Sequence, residues 1–243
     1  MLRVTRHGWR EMLIGSVVLA ATAVGLGYAF WPLAIPVGLV LIWLFAFFRD
    51  PERAVPVEEH LMVSPADGVV SDITQIDSDP LLGGPAVRVG IFLSVFNVHI
   101  NRCPCDARVR ATHYKKGKFI NAMRHAEASD ENESNTVILE EPTTGRPVAV
   151  VRQIVGLIAR RIVCSVKEGD LLKRGQRIGM IKFGSRTELV IPNWLQPEIR
   201  VKVGQPVRGA ADVIATLGTP IHAIEKKLDD EEFEAIAPRE TPA

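Results

Sequence analysis

Apolar positions along this chain fall into two contrasting patterns. From Leu13 to Phe48 there are 36 consecutive residues without Asp, Glu, Lys, Arg, His, Asn or Gln. A straight helix of that length would reach roughly 54 Å, against a bilayer hydrocarbon core of about 30 Å. The run therefore needs a break. Gly25, Gly27, Trp31, Pro32 and Pro36 supply one in its middle, because proline removes a helix donor and collides with the preceding turn. The pattern predicts two short apolar helices, spanning 13–30 and 33–48, joined near Trp31-Pro32. Each is near or below the usual spanning length, so a shallow hairpin fits as well as two full crossings.

Beyond Met62 the pattern changes to short runs rich in Val and Ile: Val69-Val70, Ala86 to Phe92, Val109 to Tyr114, Thr136 to Leu139 and Val148 to Val155. Pro65, Gly68, Gly83-Gly84-Pro85, Pro104 and Gly145 punctuate them. Such spacing predicts an all-β sandwich or barrel, with one helix between Phe119 and Glu131. Residues 153–182 alternate strand-like runs with polar glycine turns, in a layout similar to half of a biotinyl/lipoyl-type barrel-sandwich. A carrier of that type would present a lysine at a hairpin tip, here Lys173. The predicted architecture is thus mainly β, a barrel-sandwich behind an N-terminal apolar helical hairpin. Its parts are a membrane-anchoring hairpin at 1–53, a β-rich catalytic domain at 54–224, and an acidic C-terminal tail at 225–243, which starts as a helix and ends disordered.

Charge sharpens this picture. Residues 1–12 hold three Arg and one Glu, so of the 29 basic and 28 acidic side chains, 26 and 27 lie in residues 49–243. A near-neutral soluble part lacks the basic stripe of a nucleic-acid binder. Arg3, Arg6 and Arg10 before the apolar run and Arg49 and Arg53 after it favour both ends on the cytoplasmic side. A cleaved signal peptide, cut near Ala21-Thr22-Ala23, is the competing reading; the second apolar stretch speaks against it. Cys103, Cys105 and Cys164 form neither a disulfide framework nor a CxxC metal motif, and a reducing compartment fits them.

Candidate chemistry lies in three segments. Gly184-Ser185 falls in a turn between strand-like runs at 177–183 and 187–191, Asp67 in the turn Ser64-Pro65-Ala66-Asp67-Gly68, and His99 in the apolar stretch Phe96 to Arg102. Taken singly, each reads as a turn residue, a turn cap and a core histidine. Together they supply hydroxyl, carboxylate and base, the set that activates a weak nucleophile.

The order and spacing of longer motifs carry more. Phe47-Phe48-Arg49-Asp50-Pro51-Glu52-Arg53, SPADG at 64–68, FNVHINRCP at 96–104, GKFINA at 117–122, Ala128-Ser129, Asn132-Glu133, the stretch Gly156 to Ile162, and FGSR at 183–186 follow one another. Over residues 30 to 218 this series resembles the phosphatidylserine decarboxylase proenzymes of the short bacterial and archaeal type. The resemblance implies self-cleavage between Gly184 and Ser185, giving a large subunit 1–184 and a small subunit 185–243. It implies conversion of Ser185 to a covalent pyruvoyl group, the only cofactor, which forms a Schiff base with the substrate amine. It gives His99 the role of base toward Ser185, and Asp67 that of orienting His99. The implied reaction turns phosphatidylserine into phosphatidylethanolamine and CO2 at the cytoplasmic face of the membrane. His113, Lys115, Lys116 and Lys118 are candidates for meeting anionic lipid. Longer members carry a second His where this chain has Phe96. Asn97 and Arg186 therefore stand as candidates for the substrate carboxylate. No metal is implied, and a homo-oligomer is left open.

Two readings from other classes compete. A membrane-tethered biotinyl-like adaptor or carrier without catalysis fits the hairpin and residues 153–182. A membrane serine hydrolase fits Ser185 as an ordinary nucleophile in an intact chain.

Overall fold

The computed structural model describes residues 3–120, 129, 131–156, 161–182 and 185–221. Its N-terminal part is a helical hairpin of α1 (Trp9–Phe30) and α2 (Ala34–Phe47). The break falls where the proline predicts it: Phe30 leaves helical geometry at φ −161°, and Trp31–Leu33 form a single 3-10 turn. By rise per residue α1 is about 33 Å long and α2 about 21 Å. The helical run Arg6–Phe47 is long and apolar enough to cross a membrane. Most of its large side chains face outward, among them Leu13, Val17, Val24, Tyr28, Leu39 and Ile42; a helix apolar on all sides needs a non-aqueous surrounding. The two ends of the hairpin are tied together. Thr5 N donates to Phe48 O at 2.9 Å, Asp50 N to Arg3 O at 2.8 Å, and Val4 pairs with Arg49. Both ends therefore leave the hairpin on the same side.

The remainder is β, as the sequence pattern predicts. In chain order the strands are β1 (Leu61–Val63), β2 (Gly68–Asp79), β3 (Gly84–Leu93), β4 (Ile100–Arg102), β5 (Ala107–Lys115), β6 (Ser134–Glu140), β7 (Pro147–Val155), β8 (Arg161–Cys164), β9 (Leu171–Leu172), β10 (Arg177–Lys182), β11 (Ser185–Pro192), β12 (Pro197–Ile199), β13 (Pro206–Val207) and β14 (Val213–Leu217). Eight of them form one curled antiparallel sheet in the order β13-β2-β3-β11-β7-β6-β5-β9. Two three-stranded sheets, β1-β14-β12 and β4-β10-β8, complete the half-barrel.

The main core lies on the concave face of the large sheet. There Val87, Val89 and Ile91 of β3, Leu189 and Ile191 of β11, and Ala149 and Val151 of β7 meet Met62, Ile178, Ile214 and Leu217. Alternation sends Ala86, Val150 and Val190 to a smaller cluster on the opposite face. A third cluster joins the hairpin to the β domain: Met12, Leu44, Phe47 and Phe48 pack on Val98, Ile100 and Met180. The helix expected between Phe119 and Glu131 and the tail beyond Ile221 fall largely or wholly outside the described residues. Lys173, the carrier-type lysine, lies exposed beside Asp106 at 3.3 Å, and Lys118 is paired with Glu131 at 2.6 Å.

Candidate active site

Strand β11 is the centre of the site. It lies between β3 and β7, with Ser185 opposite Leu93 on one side and Val155 on the other. Period-two alternation sends Ser185 and Thr187 to the core face and Arg186 and Glu188 to the far face. Ser185 is fully buried, and its Oγ has no hydrogen-bond partner among the described residues. An unpaired buried hydroxyl costs about 1–3 kcal/mol, and such groups call for an explanation in function. Gly184, the other half of the expected cleavage site, lies outside the described residues, as does Phe183.

The chain returns to this point quickly. After Leu93, the residue opposite Ser185, a turn closes with Asn97 N donating to Ser94 O at 2.9 Å. Asn97 Oδ1 accepts from Ser94 N at 2.9 Å and from Ser94 Oγ at 2.8 Å. Two residues later comes His99, fully buried, just ahead of β4 rather than inside a strand. Its Nδ1 is 2.9 Å from the Asn97 carbonyl oxygen, which can only accept. Nδ1 therefore carries the proton, and Nε2 has the lone pair that a base requires. Burial lowers the imidazole pKa to about 4; the Asn97 carbonyl raises it in part, and the Arg49 charge lowers it further. The ring packs on Phe47 of α2, centroids 4.4 Å apart.

A chain of buried amides connects His99's neighbourhood to that of Ser185. Asn101, two residues beyond His99, donates to Thr187 Oγ1 at 2.8 Å, and Thr187 is two residues beyond Ser185. Gln153 donates to Asn101 Oδ1 at 2.9 Å, and Asn135 to Gln153 Oε1 at 2.9 Å. These polar residues in strand-like runs were not singled out from the sequence. Their signal was there, since amides recurring on the core side of apolar strands must find partners.

Two expected site residues have different partners from those anticipated. Asp67 accepts from Arg53 Nη2 at 2.6 Å and from Gly209 N at 2.8 Å. The acceptor that sets the His99 tautomer is thus the Asn97 carbonyl, a local contact two residues away, rather than the Asp67 carboxylate. Burial raises the Asp67 pKa, and Arg53 and the Gly209 amide pull it back only in part. Arg186 is fully buried on the face of β11 opposite Ser185. Its guanidinium is held by Asp72 (2.7 Å), Glu188 (3.0 Å) and Ser71 Oγ (2.6 Å). Arg152 and Ser129 Oγ bind Glu188 from β7 and the neighbouring segment, at 2.9 and 2.6 Å. Gly90 makes room for this cluster, since a Cβ there would collide with the Arg186 guanidinium and the Asp72 carboxylate. A guanidinium enclosed in this way is a strut between strands.

The segment leaving the hairpin grips the site with four residues between 47 and 53. Phe47 covers His99. Arg49 donates to the Phe96 carbonyl at 2.6 Å. Asp50 is bound by Arg102 at 2.7 Å and by Arg177. Arg53 holds Asp67.

Comparison with known proteins gives the family. The sequence model described as phosphatidylserine decarboxylase matches residues 40–215, which take in the hairpin's exit, Asp67, His99 and Ser185. The chain belongs to the phosphatidylserine decarboxylase family. It is 48% identical over 210 residues to a phosphatidylserine decarboxylase proenzyme of Rhodopirellula baltica, covering 86% of each chain. A proenzyme of the same name from Carboxydothermus hydrogenoformans is 43% identical over 196 residues, 81% of this chain and 89% of that one. One from Cupriavidus metallidurans is 40% identical over 216 residues, 88% and 95% of the two. Membership makes the chain a carboxy-lyase.

Proposed function

We propose that this chain is a self-processing, pyruvoyl-dependent phosphatidylserine decarboxylase, held at the cytoplasmic face of the membrane by residues 1–53. The observation that carries the reading is the Ser185 hydroxyl: fully buried, unpartnered among the described residues, and at the start of β11. Among the described residues no other acceptor competes for its proton, which is left for a general base to take.

In the processing step Ser185 Oγ attacks the Gly184 carbonyl, and His99 Nε2 takes the hydroxyl proton. The peptide C–N bond breaks, the Ser185 amine is released, and an ester links the two residues. Removal of the Ser185 Cα proton expels the Gly184 carboxylate and leaves dehydroalanine. Its enamine tautomerises to an imine, and water replaces the nitrogen, which departs as ammonia. The chain is then a large subunit, 1–184, and a small subunit, 185–243. His99 suits the base's part because burial keeps it neutral, with its tautomer already set. Asp67 acts at one remove, by holding Arg53 and with it the segment whose Phe47 roofs the imidazole.

The resulting carbonyl supplies the electron sink that loss of CO2 from an amino acid requires. The buried position of residue 185 shields that carbonyl from water, and the amide chain through Asn101 and Thr187 keeps β4 in place beside it. Phosphatidylserine as substrate follows from the family and from an apolar hairpin that brings the site to the bilayer.

An intact-mass spectrum of the purified protein tests the reading. Two polypeptides are expected, the smaller beginning at residue 185 with a pyruvoyl block and lacking a free amine. A single intact chain that nevertheless decarboxylates phosphatidylserine would overturn it.

A further inference from the structure

Lys182 closes β10, three residues ahead of Ser185. It is buried, an uncommon placement for a lysine. Its Nζ contacts Glu11 Oε1 at 2.5 Å, a residue 171 positions away in the first turn of α1. The Phe48 ring lies 5.9 Å from the same ammonium. Arg161 stands opposite Lys182 in the β8–β10 pairing and also attracts the Glu11 carboxylate, while the charge of Lys182 reaches His7. The Glu11 carboxylate thus lies between Lys182 and Arg161, while Asp50 acts on His7 from the other side.

Depth in the membrane gives this cluster its meaning. The uncharged run begins at Leu13, two residues beyond Glu11. Glu11 and Lys182 therefore lie where hydrocarbon gives way to lipid headgroups. Three residues of chain span at most about 10 Å, so the Lys182 backbone lies within that distance of Ser185. In a serine phosphodiester the phosphorus is three bonds from the carbon that bears the amine and the carboxylate. With that carbon at residue 185, the phosphate falls within reach of a lysine side chain rooted at 182.

We propose that Lys182 binds the phosphodiester of the lipid headgroup and that Glu11 holds its place between turnovers. A compact ammonium suits phosphate as a point charge. It needs a partner when no lipid is bound, because an unpaired buried charge is strongly destabilising. The proposal rests on Ser185 as the reaction centre. It adds the element that separates a phospholipid from any other amphiphile with a serine head.

The test compares two substrates on the purified, self-processed protein. Dihexanoyl phosphatidylserine carries the phosphodiester; O-dodecyl-serine keeps the amine, the carboxylate and an apolar tail without it. The ratio of their kcat/KM values should fall by about 10–100-fold in Lys182→Met, the worth of one charge-assisted contact, mainly through the KM for the phospholipid. Lys182→Arg should restore most of the ratio. Glu11→Gln, which removes the competing carboxylate, should lower the KM for the phospholipid severalfold. An unchanged ratio in Lys182→Met would show the lysine to be structural and sink the proposal. If Lys182→Met stays uncut, Glu11→Gln decides alone, and an unchanged KM there overturns the proposal. Failure of the Ser185 reading is seen separately, as an uncut wild-type chain before any substrate is added.

Discussion

On one face of β11, Ser185 Oγ is buried with no partner among the described residues; on the other, one residue along, Arg186 is equally buried and holds two carboxylates and a hydroxyl. The two side chains share a strand and a degree of burial, and they differ in satisfaction. The hydroxyl with no partner among the described residues is the one proposed to react, while Arg186 and Glu188 on the far face each hold several partners and fix strand to strand. The difference would have a use under the proposed processing, in which this strand becomes a chain end: the cut would remove the covalent tether at residue 185, and the Arg186 and Glu188 contacts to β2, β3 and β7 would remain to hold its register.

The contrast can be broken from either side. Ser185→Ala should abolish both processing and decarboxylation, since one hydroxyl serves both; a denaturing gel should show one chain, and a normally cut variant would refute the assignment. His99→Ala should slow processing by about 10²–10⁴-fold, the usual loss for a general base. His99 has a pH signature too. Its pKa is about 4 in the fold against an ordinary 6.5, so between those values the unfolded chain binds the proton more readily. Stability should therefore be full above pH 6.5 and fall by about 3 kcal/mol as pH drops toward 4. Denaturant titrations in wild type and His99→Gln should differ in slope over that window and nowhere else.

On the far face, Arg186→Met should leave Ser185 and His99 in place but lower stability by about 3–5 kcal/mol, the cost of breaking a buried ion pair from one side. Gly90→Ala should act in the same direction by crowding the same cluster. Processing that stops in Arg186→Met while its denaturation midpoint stays at the wild-type value would show that the two faces are not separable. The smallest effect is expected at Asp67. Asp67→Asn loses a charged contact worth about 1.5–3 kcal/mol, and processing should slow less than in His99→Ala. Parity between the two would return to Asp67 the direct partnership with His99.

Much of this was legible in the residues. The break at Trp31-Pro32, the Val-rich strands and the approach of Ser185 to a strand junction follow from local rules: proline geometry, period-two alternation and glycine turns. Alternation alone also separates Ser185 from Arg186, whereas the carboxylates that enclose Arg186 come from β2 and from β11 itself and are not announced by its own segment. Asp67 was matched to His99 by a general template of carboxylate, base and hydroxyl. The structure uses instead a carbonyl two residues away, a contact no template contains. Phe47 on His99 and Arg53 on Asp67 join elements far apart in sequence, and nothing in either segment's own pattern announces the other. The motif that joins them was visible as a motif; its purpose needed coordinates.

The hairpin's exit also sets a lower limit on how short this chain can become. Phe47, Arg49, Asp50 and Arg53 form part of the wall around the imidazole and its neighbours. Losing residues up to 44 removes nearly all of the apolar run, the segment proposed to hold the chain at the bilayer. Losing three residues more takes Phe47 and strips the cover from His99. The margin between a chain freed of its apolar run and one with His99 unroofed is thus less than one turn of helix, and any shortened form, natural or made, has to end its deletion within it.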